Sequence, residues 1–282
     1  MNDTVLGYRK FKNRAFVVVI STLAILSAFP LIFIILYVFK QGISAINWEF
    51  FFTLPKPVGE VGGSIANALV GTMLIVLIAS LMAIPVGLMA GVYLSEHPEN
   101  KLSKATRLAI EVLNGTPSIV IGIFAYLLIV LVTGGFSAFS GSFALAVMML
   151  PLVVRTTEET LRLIPETLKE AALSLGAPYY RVIFKVVIPS GLSGIINGVM
   201  LAIARVAGET APLLFTAFGN PYMNWNIFKP MDNLPLLIYN YATSPYQDWH
   251  RIAWGASLVL IVLVLLMNLL SRWAIKKWKV RF

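Results

Sequence analysis

The stretch Ala204-Arg205-Val206-Ala207-Gly208-Glu209-Thr210-Ala211-Pro212-Leu213 sets two opposite charges into a run that carries no others between Lys185 and Lys229. An ionisable side chain at mid-membrane costs about 2.5–3.5 kcal/mol on insertion scales. Two of them in so long an uncharged run are a paired structural unit or a working site, and the surroundings decide which. Composition identifies those surroundings. With 58% hydrophobic residues, only 12% charged ones and a mean hydropathy of +0.82, the chain would expose too much apolar surface as a soluble globule. It reads as an all-α polytopic membrane protein.

A helix rises about 1.5 Å per residue, so roughly 20 residues cross a hydrocarbon core. That rule predicts six spans. The first covers residues 16–39 and the second 66–94, with Pro85 as a kink. The uncharged stretch between Glu111 and Arg155 is too long for one crossing, and Thr133-Gly134-Gly135-Phe136-Ser137 near its middle supplies the turn of a helical hairpin. The fifth span is predicted over 192–218, centred near Arg205, and the sixth over 252–271. Basic residues precede Ala15–Phe39 as they would in a signal peptide. That stretch is longer than a signal core and no small-residue cleavage site follows, so it reads as a retained span.

Charge sets the orientation. Of the 22 lysines and arginines, only Lys40, Lys56, Lys229 and Arg251 fall in the alternate loops, and Arg205 falls within a span. The others gather in the N-tail (Arg9, Lys10, Lys12, Arg14), the 95–111 loop, the 155–185 loop and the C-tail (Arg272, Lys276, Lys277, Lys279, Arg281). Both termini are therefore predicted to be cytoplasmic. The net charge of +9 is mostly this topology signal, which removes the main reason to expect nucleic-acid binding. Zero cysteines exclude disulfides and thiolate metal sites. On the outer side, residues 40–63 and 219–251 are long and aromatic, with Trp48, Phe50, Phe51, Phe52, Tyr222, Trp225, Tyr239, Tyr241, Tyr246 and Trp249. Those rings suit an interfacial belt and a protein-docking surface alike.

On the inner side, Thr167–Leu175 forms helix readily, and Gly176 followed by Pro178 stops it. Leu168, Ala171, Ala172 and Leu175 share one face by spacing, so this short helix has an apolar side. The run EAALSLGAPYYRVIFKVVIP, Glu170 to Pro189, resembles the inner-loop motif of binding-protein-dependent ABC importer permeases: E-A-A, three residues, G, nine residues, I-x-L-P. Glu170, Ala171, Ala172, Gly176 and Pro189 match, and Val186 and Ile188 replace the Ile and Leu with similar residues. Finer similarity, from about residue 60 to the end, is to the permeases of phosphate-specific importers. Leu113–Phe124, Met149–Leu161, Arg205 with Gly208–Pro212, and Ser244–Ala256 carry it.

That resemblance implies a MetI-like (type I) six-helix architecture in one membrane domain over 1–282. Its permease core covers 60–275 and its coupling-helix region 166–180. It implies that Glu170, Ala171, Ala172 and Gly176 contact a separate ATPase subunit. The further partners it implies are a sister permease, an external phosphate-binding protein and the lipid of a prokaryotic inner membrane. It implies no cofactor and no metal.

Arg205 and Glu209, four residues apart, are read as lying on one helix face within salt-bridge reach. A purely structural pair remains open. Against it, a guanidinium presents a planar fork suited to phosphate oxygens. Arg205, Glu209 and Thr210 are accordingly expected in a substrate path, with Pro212 making the helix a bending element. Gly115 and Pro117 are expected to break the start of the third span, and the sequon Asn114-Gly115-Thr116 is set aside because it falls on the inner side. Gly87-x-x-x-Gly91 reads as a close-packing face. His97 and His250 lie on opposite sides and make no metal pair, and Glu158 and Glu159 are read as solvated.

The sequence holds no phosphate-binding Gly-rich loop, so ATP hydrolysis belongs to a partner, and no soluble stretch is large enough to be a capture domain. A permease for another oxyanion, sulfate or molybdate, and a self-sufficient channel or secondary transporter are the alternatives. An ATPase-docking helix argues against the second of these.

Overall fold

The computed structural model describes residues 3–57, 59–60 and 63–277 and is helical throughout, without strands among the described residues. Ten helices are used below: α1 (Asp3–Gly42), α2 (Ala66–Glu96), α3 (Lys101–Gly115), α4 (Ser118–Thr133), α5 (Ala138–Arg162), α6 (Glu166–Ser174), α7 (Tyr179–Ala207), α8 (Ala211–Leu214), α9 (Leu234–Ala242) and α10 (Gln247–Lys277). Five of them, α1, α2, α5, α7 and α10, are long and apolar enough to cross a membrane, and α3 with α4 forms a bent pair that supplies a sixth crossing.

The bundle is organised by glycines. α2 and α5 run parallel, and a Cβ on Gly87 or Gly91 would come within 2.7 Å of Val153 or 2.6 Å of Thr157. The glycine pair expected as a packing face is therefore one, and its partner is α5. α7 runs antiparallel across another side of α5. There Gly191 meets Leu161, Gly194 meets Thr160 and Gly198 meets Thr156, all too close to admit a Cβ unless the neighbour moves. Small residues let helix backbones approach in a medium where lipid is as apolar as leucine. Around these contacts Ile75, Ala79, Leu145, Met149, Val206 and Leu213 form the main core. α1 is exposed over most of its length and touches the bundle chiefly through α10, where Tyr37 meets Trp254 edge to face at 5.3 Å.

The loops sort into two ends as the charge pattern requires. The described residues of 40–65 pack with 219–252 at one end: Phe50 is buried against Gly255, and Arg251 donates to the Ser44 carbonyl. The loops after α2 and after α5 meet at the other, basic end. His97 is at the basic end and His250 at the opposite one, and no metal-binding cluster occurs among the described residues. Of the expected basic C-tail, Lys279 and Arg281 lie outside the described residues. The outer aromatics divide. Phe50 is core, Tyr241 stacks on Trp249 at 4.4 Å, and Trp48, Tyr222 and Trp225 remain exposed.

Three expectations are corrected. The segment read as a loop over 95–111 is mostly α3, capped by the Asn100 side chain accepting from the Leu102 N–H, and it bends by 105° into α4 at Thr116-Pro117. The hairpin turn is where expected, with Gly134 left-handed at φ 74° and Ser137 capping α5, but its first arm is only Ser118–Thr133. The fifth span is not one helix over 192–218. It begins at Tyr179, absorbs Pro189 through a π-helical turn at Ile183–Val187, and stops at Ala207, before Pro212. Pro212 lacks the N–H that would bond the Gly208 carbonyl, so the chain leaves the helix at Gly208-Glu209-Thr210 and starts a new turn at Ala211.

Candidate functional site

Depth along the bundle follows from these contacts. Gly198 faces Thr156, so two turns further Arg205 lies opposite about Met149, near the middle of α5. The parallel register of α5 with α2 puts the same level near Ala83, close to the middle of α2. Arg205 is thus halfway across the bundle, in the last turn of α7.

Its partner is held loosely. The helix ends before Glu209, which correct the expectation of two residues on one continuous helix face. The Arg205 Nε to Glu209 Oε1 distance is 3.9 Å, beyond hydrogen-bond range, and no hydrogen bond from the guanidinium is present among the described residues. Arg205 is about half exposed and Glu209 about one-fifth. Thr210 follows directly and its carbonyl accepts from the Leu213 and Leu214 N–H groups, starting the single turn α8. That turn is wedged between α4 and α5. A Cβ on Gly122 would come within 2.6 Å of Pro212 Cα, and one on Gly141 within 3.0 Å of Leu213. The Thr216 carbonyl closes the wedge by accepting from Ser137 N–H and Ser140 Oγ. The break in α7 is therefore fixed by packing on its far side, and the charged pair hangs at its edge.

The second predicted site is the short helix α6, which ends at Leu175 with Gly176 at φ 79°, the left-handed stop expected there. Its apolar face divides. Leu168 and Ala172 turn toward the bundle, and Ala172 packs beside Leu161 and Val182, whereas Glu170, Ala171 and Leu175 face outward. α6 is also tied to α2: Lys169 Nζ lies 2.5 Å from Glu96 Oε1, and the Tyr179 hydroxyl donates to Glu96 Oε2.

Glu158 departs from its reading as solvated. It is buried, accepting from Arg107 Nε at 2.8 Å and facing Arg162 Nη2 at 2.8 Å, while Arg107 also donates to the Leu94 and Pro98 carbonyls. Glu159 is exposed and pairs with Arg155. These partners join α3, α5 and the end of α2 across long sequence separations, which no local pattern announces. At the opposite end, desolvation pushes the Asp232 carboxyl up to about 7, against hydrogen bonds from Asn233 N–H and Asn67 Nδ2.

Residues 83–280 match the family described as "Binding-protein-dependent transport system inner membrane component". The chain belongs to this family. It is 40% identical to the phosphate transport system permease protein PstA of Pasteurella multocida over 273 residues, covering 96% of this chain and 97% of that one. It is 46% identical over 235 residues to PstA of Xylella fastidiosa strain Temecula1, covering 83% and 82%. With the probable PstA of Methanocaldococcus jannaschii it shares 35% over 270 residues, 95% of each chain. Among solved structures, an inward-facing MetNI methionine ABC transporter superposes with a TM-score of 0.66 at 19% identity, over 77% of this chain and 96% of that one. That likeness bears on the fold alone, and the expected MetI-like architecture agrees with it. The protein is a multi-pass membrane transport component.

Proposed function

We propose that this chain is one permease half of an ATP-driven importer that passes inorganic phosphate, delivered by an external binding protein, across the inner membrane of a prokaryote. A separate ATPase supplies the energy, and a sister permease completes the path. The observation that carries the reading is Arg205: a guanidinium halfway across the bundle, about half exposed, with no hydrogen bond from its fork among the described residues. The full-length similarity to phosphate transport system permeases from bacteria and an archaeon supports the choice of anion.

The path works by exchange of partners. With the path empty, Glu209 offsets part of the charge of Arg205 at long range; an arriving phosphate takes the planar fork with two parallel N–H donations, and Thr210 adds a hydroxyl one residue on. The kinked connection at Gly208–Thr210 lets the end of α7 shift without disturbing the Pro212 wedge. At the cytoplasmic end, α6 docks on the ATPase through Glu170, Ala171 and Leu175, with Ala172 and Gly176 fixing its seat and direction. Glu96 holding Lys169 and Tyr179 carries movement of α6 into α2.

The test is uptake of labelled phosphate by cells lacking phosphate import, given this chain together with its own system's ATPase, sister permease and binding protein. Phosphate should accumulate in an ATP-dependent way that excess sulfate or molybdate does not inhibit. Accumulation of either competitor in place of phosphate would overturn the assignment.

A further inference from the structure

Between Ile188 and Ala207, α7 carries four polar side chains: Ser190, Ser193, Asn197 and Arg205. All four fall on one face, because steps of three, four and eight residues rotate a helix by only about 60°, 40° and 80° from alignment. The opposite face, through Ile195, Ala202 and Val206, packs into the core. Ser193, Asn197, Leu201, Arg205 and Gly208 form an exposed ridge at four- and three-residue steps. Ser190 returns its hydroxyl to the Val186 carbonyl at 2.6 Å, and Asn268 in α10 folds its amide onto the Val264 carbonyl at 2.9 Å. Among the described residues Asn197 makes no such bond, and neither does the Ser193 side chain. An open amide facing hydrocarbon would forfeit its hydrogen bonds to water with nothing in return. This face of α7 therefore meets water or a polar partner rather than lipid.

We infer that the Ser193, Asn197 and Arg205 face of α7 is the inward half of the anion path, and that Asn197 is its specificity-determining stop, resting on phosphate import as the chain's function. At 1.5 Å per residue Asn197 is about 12 Å from Arg205 and Ser193 about 18 Å, both toward the basic end. An anion that leaves a guanidinium needs donors to replace lost water, but a second fixed cation would trap it; a path conducts only if each stop is weak enough to leave. The Asn197 amide offers two neutral N–H donors and the Ser193 hydroxyl one. Leu201 separates Asn197 from Arg205, so the two stops are discrete.

The chain has no cysteine, which allows a direct experiment on the assembled complex in membranes. Asn197→Cys and Ser193→Cys should react with a small charged thiol reagent, and phosphate should slow the reaction. Leu77→Cys should not react, since Leu77 lines an apolar groove of 610 Å³ on the α2, α7 and α10 side. In uptake assays Asn197→Asp should lower phosphate transport by about tenfold or more by setting a like charge in the path, whereas Asn197→Gln, which keeps the amide, should stay within about threefold of the parent. An unreactive Asn197→Cys together with parent-like uptake by Asn197→Asp overturns the inference while leaving phosphate import standing. Absence of phosphate uptake by the parent complex would instead remove the functional reading on which it rests.

Discussion

Two glutamates, Glu158 and Glu209, each face arginine in this chain, and they are held in opposite ways. Glu158 is buried at the basic end between Arg107 and Arg162, at 2.8 Å from each, and it joins α3 to α5. Glu209 stands 3.9 Å from a single arginine, at the broken end of α7 and halfway across the bundle. Burial makes a charge costly unless every oxygen is satisfied, so a carboxylate that serves only the fold is expected to look like Glu158. A pair left long and open, where the cost of charge is highest, is what the proposed anion path requires.

Removing the open charge should have the largest effect on transport. Arg205→Gln is expected to lower phosphate uptake by about 100-fold or more with the complex assembled, and Arg205→Lys to recover little, because an ammonium keeps the charge without the planar fork. Uptake per amount of purified complex measures this; parent-like uptake by Arg205→Gln would make the two glutamates equivalent. Glu158→Gln should behave inversely. It leaves Arg107 and Arg162 without their counter-charge, which costs about 2–3 kcal/mol of stability once the partial exposure of both arginines is allowed for. Thermal unfolding of the complex should register that loss, while uptake per folded complex stays near the parent value.

Smaller changes sharpen the contrast at the ends. Lys169→Met cuts the tie from α6 to Glu96 without touching Arg205, so ATP hydrolysis should continue while uptake per ATP falls severalfold; unchanged coupling would remove the tie from the mechanism. The effect least tied to transport concerns pH at the outer end. The Asp232 carboxyl is raised from 3.8 to about 7 by desolvation, so the unfolded chain loses its proton first as pH rises. Stability should therefore fall between about pH 4 and pH 7 from this group and level off above that range. The Asn67 amide and the Asn233 N–H bond the carboxyl, and Asp232→Asn should flatten that part of the pH profile of thermal unfolding.

What the sequence made legible was local or periodic. The stop of α6 at Gly176 needs only a left-handed residue with proline beyond, and Gly87 with Gly91 needs only the absence of two side chains on one face. The break at Gly208–Thr210 was half legible. Pro212 announces a bend, but whether the helix resumes depends on Gly122 and Gly141 opening room for Pro212 and Leu213, and those contacts come from distant segments. α3 escaped a search for long apolar runs because half of it is polar; Asn100 as a cap, with Leu102, Leu108 and Val112 on one side, was its signal. Arg162 stands one helical turn after Glu158 and was legible, but the partners that bury Glu158 and Glu96 were not, since Arg107 and Lys169 are 51 and 73 residues away. The ridge of Ser193 and Asn197 was not read from the sequence, because its exposure depends on where α5 crosses α7.

The charge swap Arg205→Glu with Glu209→Arg tests most directly whether the mid-bundle pair serves transport or the fold. It keeps both charges, their separation along the chain and the net charge of the span. A structural pair tolerates the exchange. An anion path does not, because a carboxylate then occupies the position that phosphate must approach. Phosphate uptake per assembled complex is predicted to be as low in the swapped protein as in Arg205→Gln, with assembly unchanged. Recovery of uptake to near the parent level would show that the pair acts only as a salt bridge, and would contradict the account.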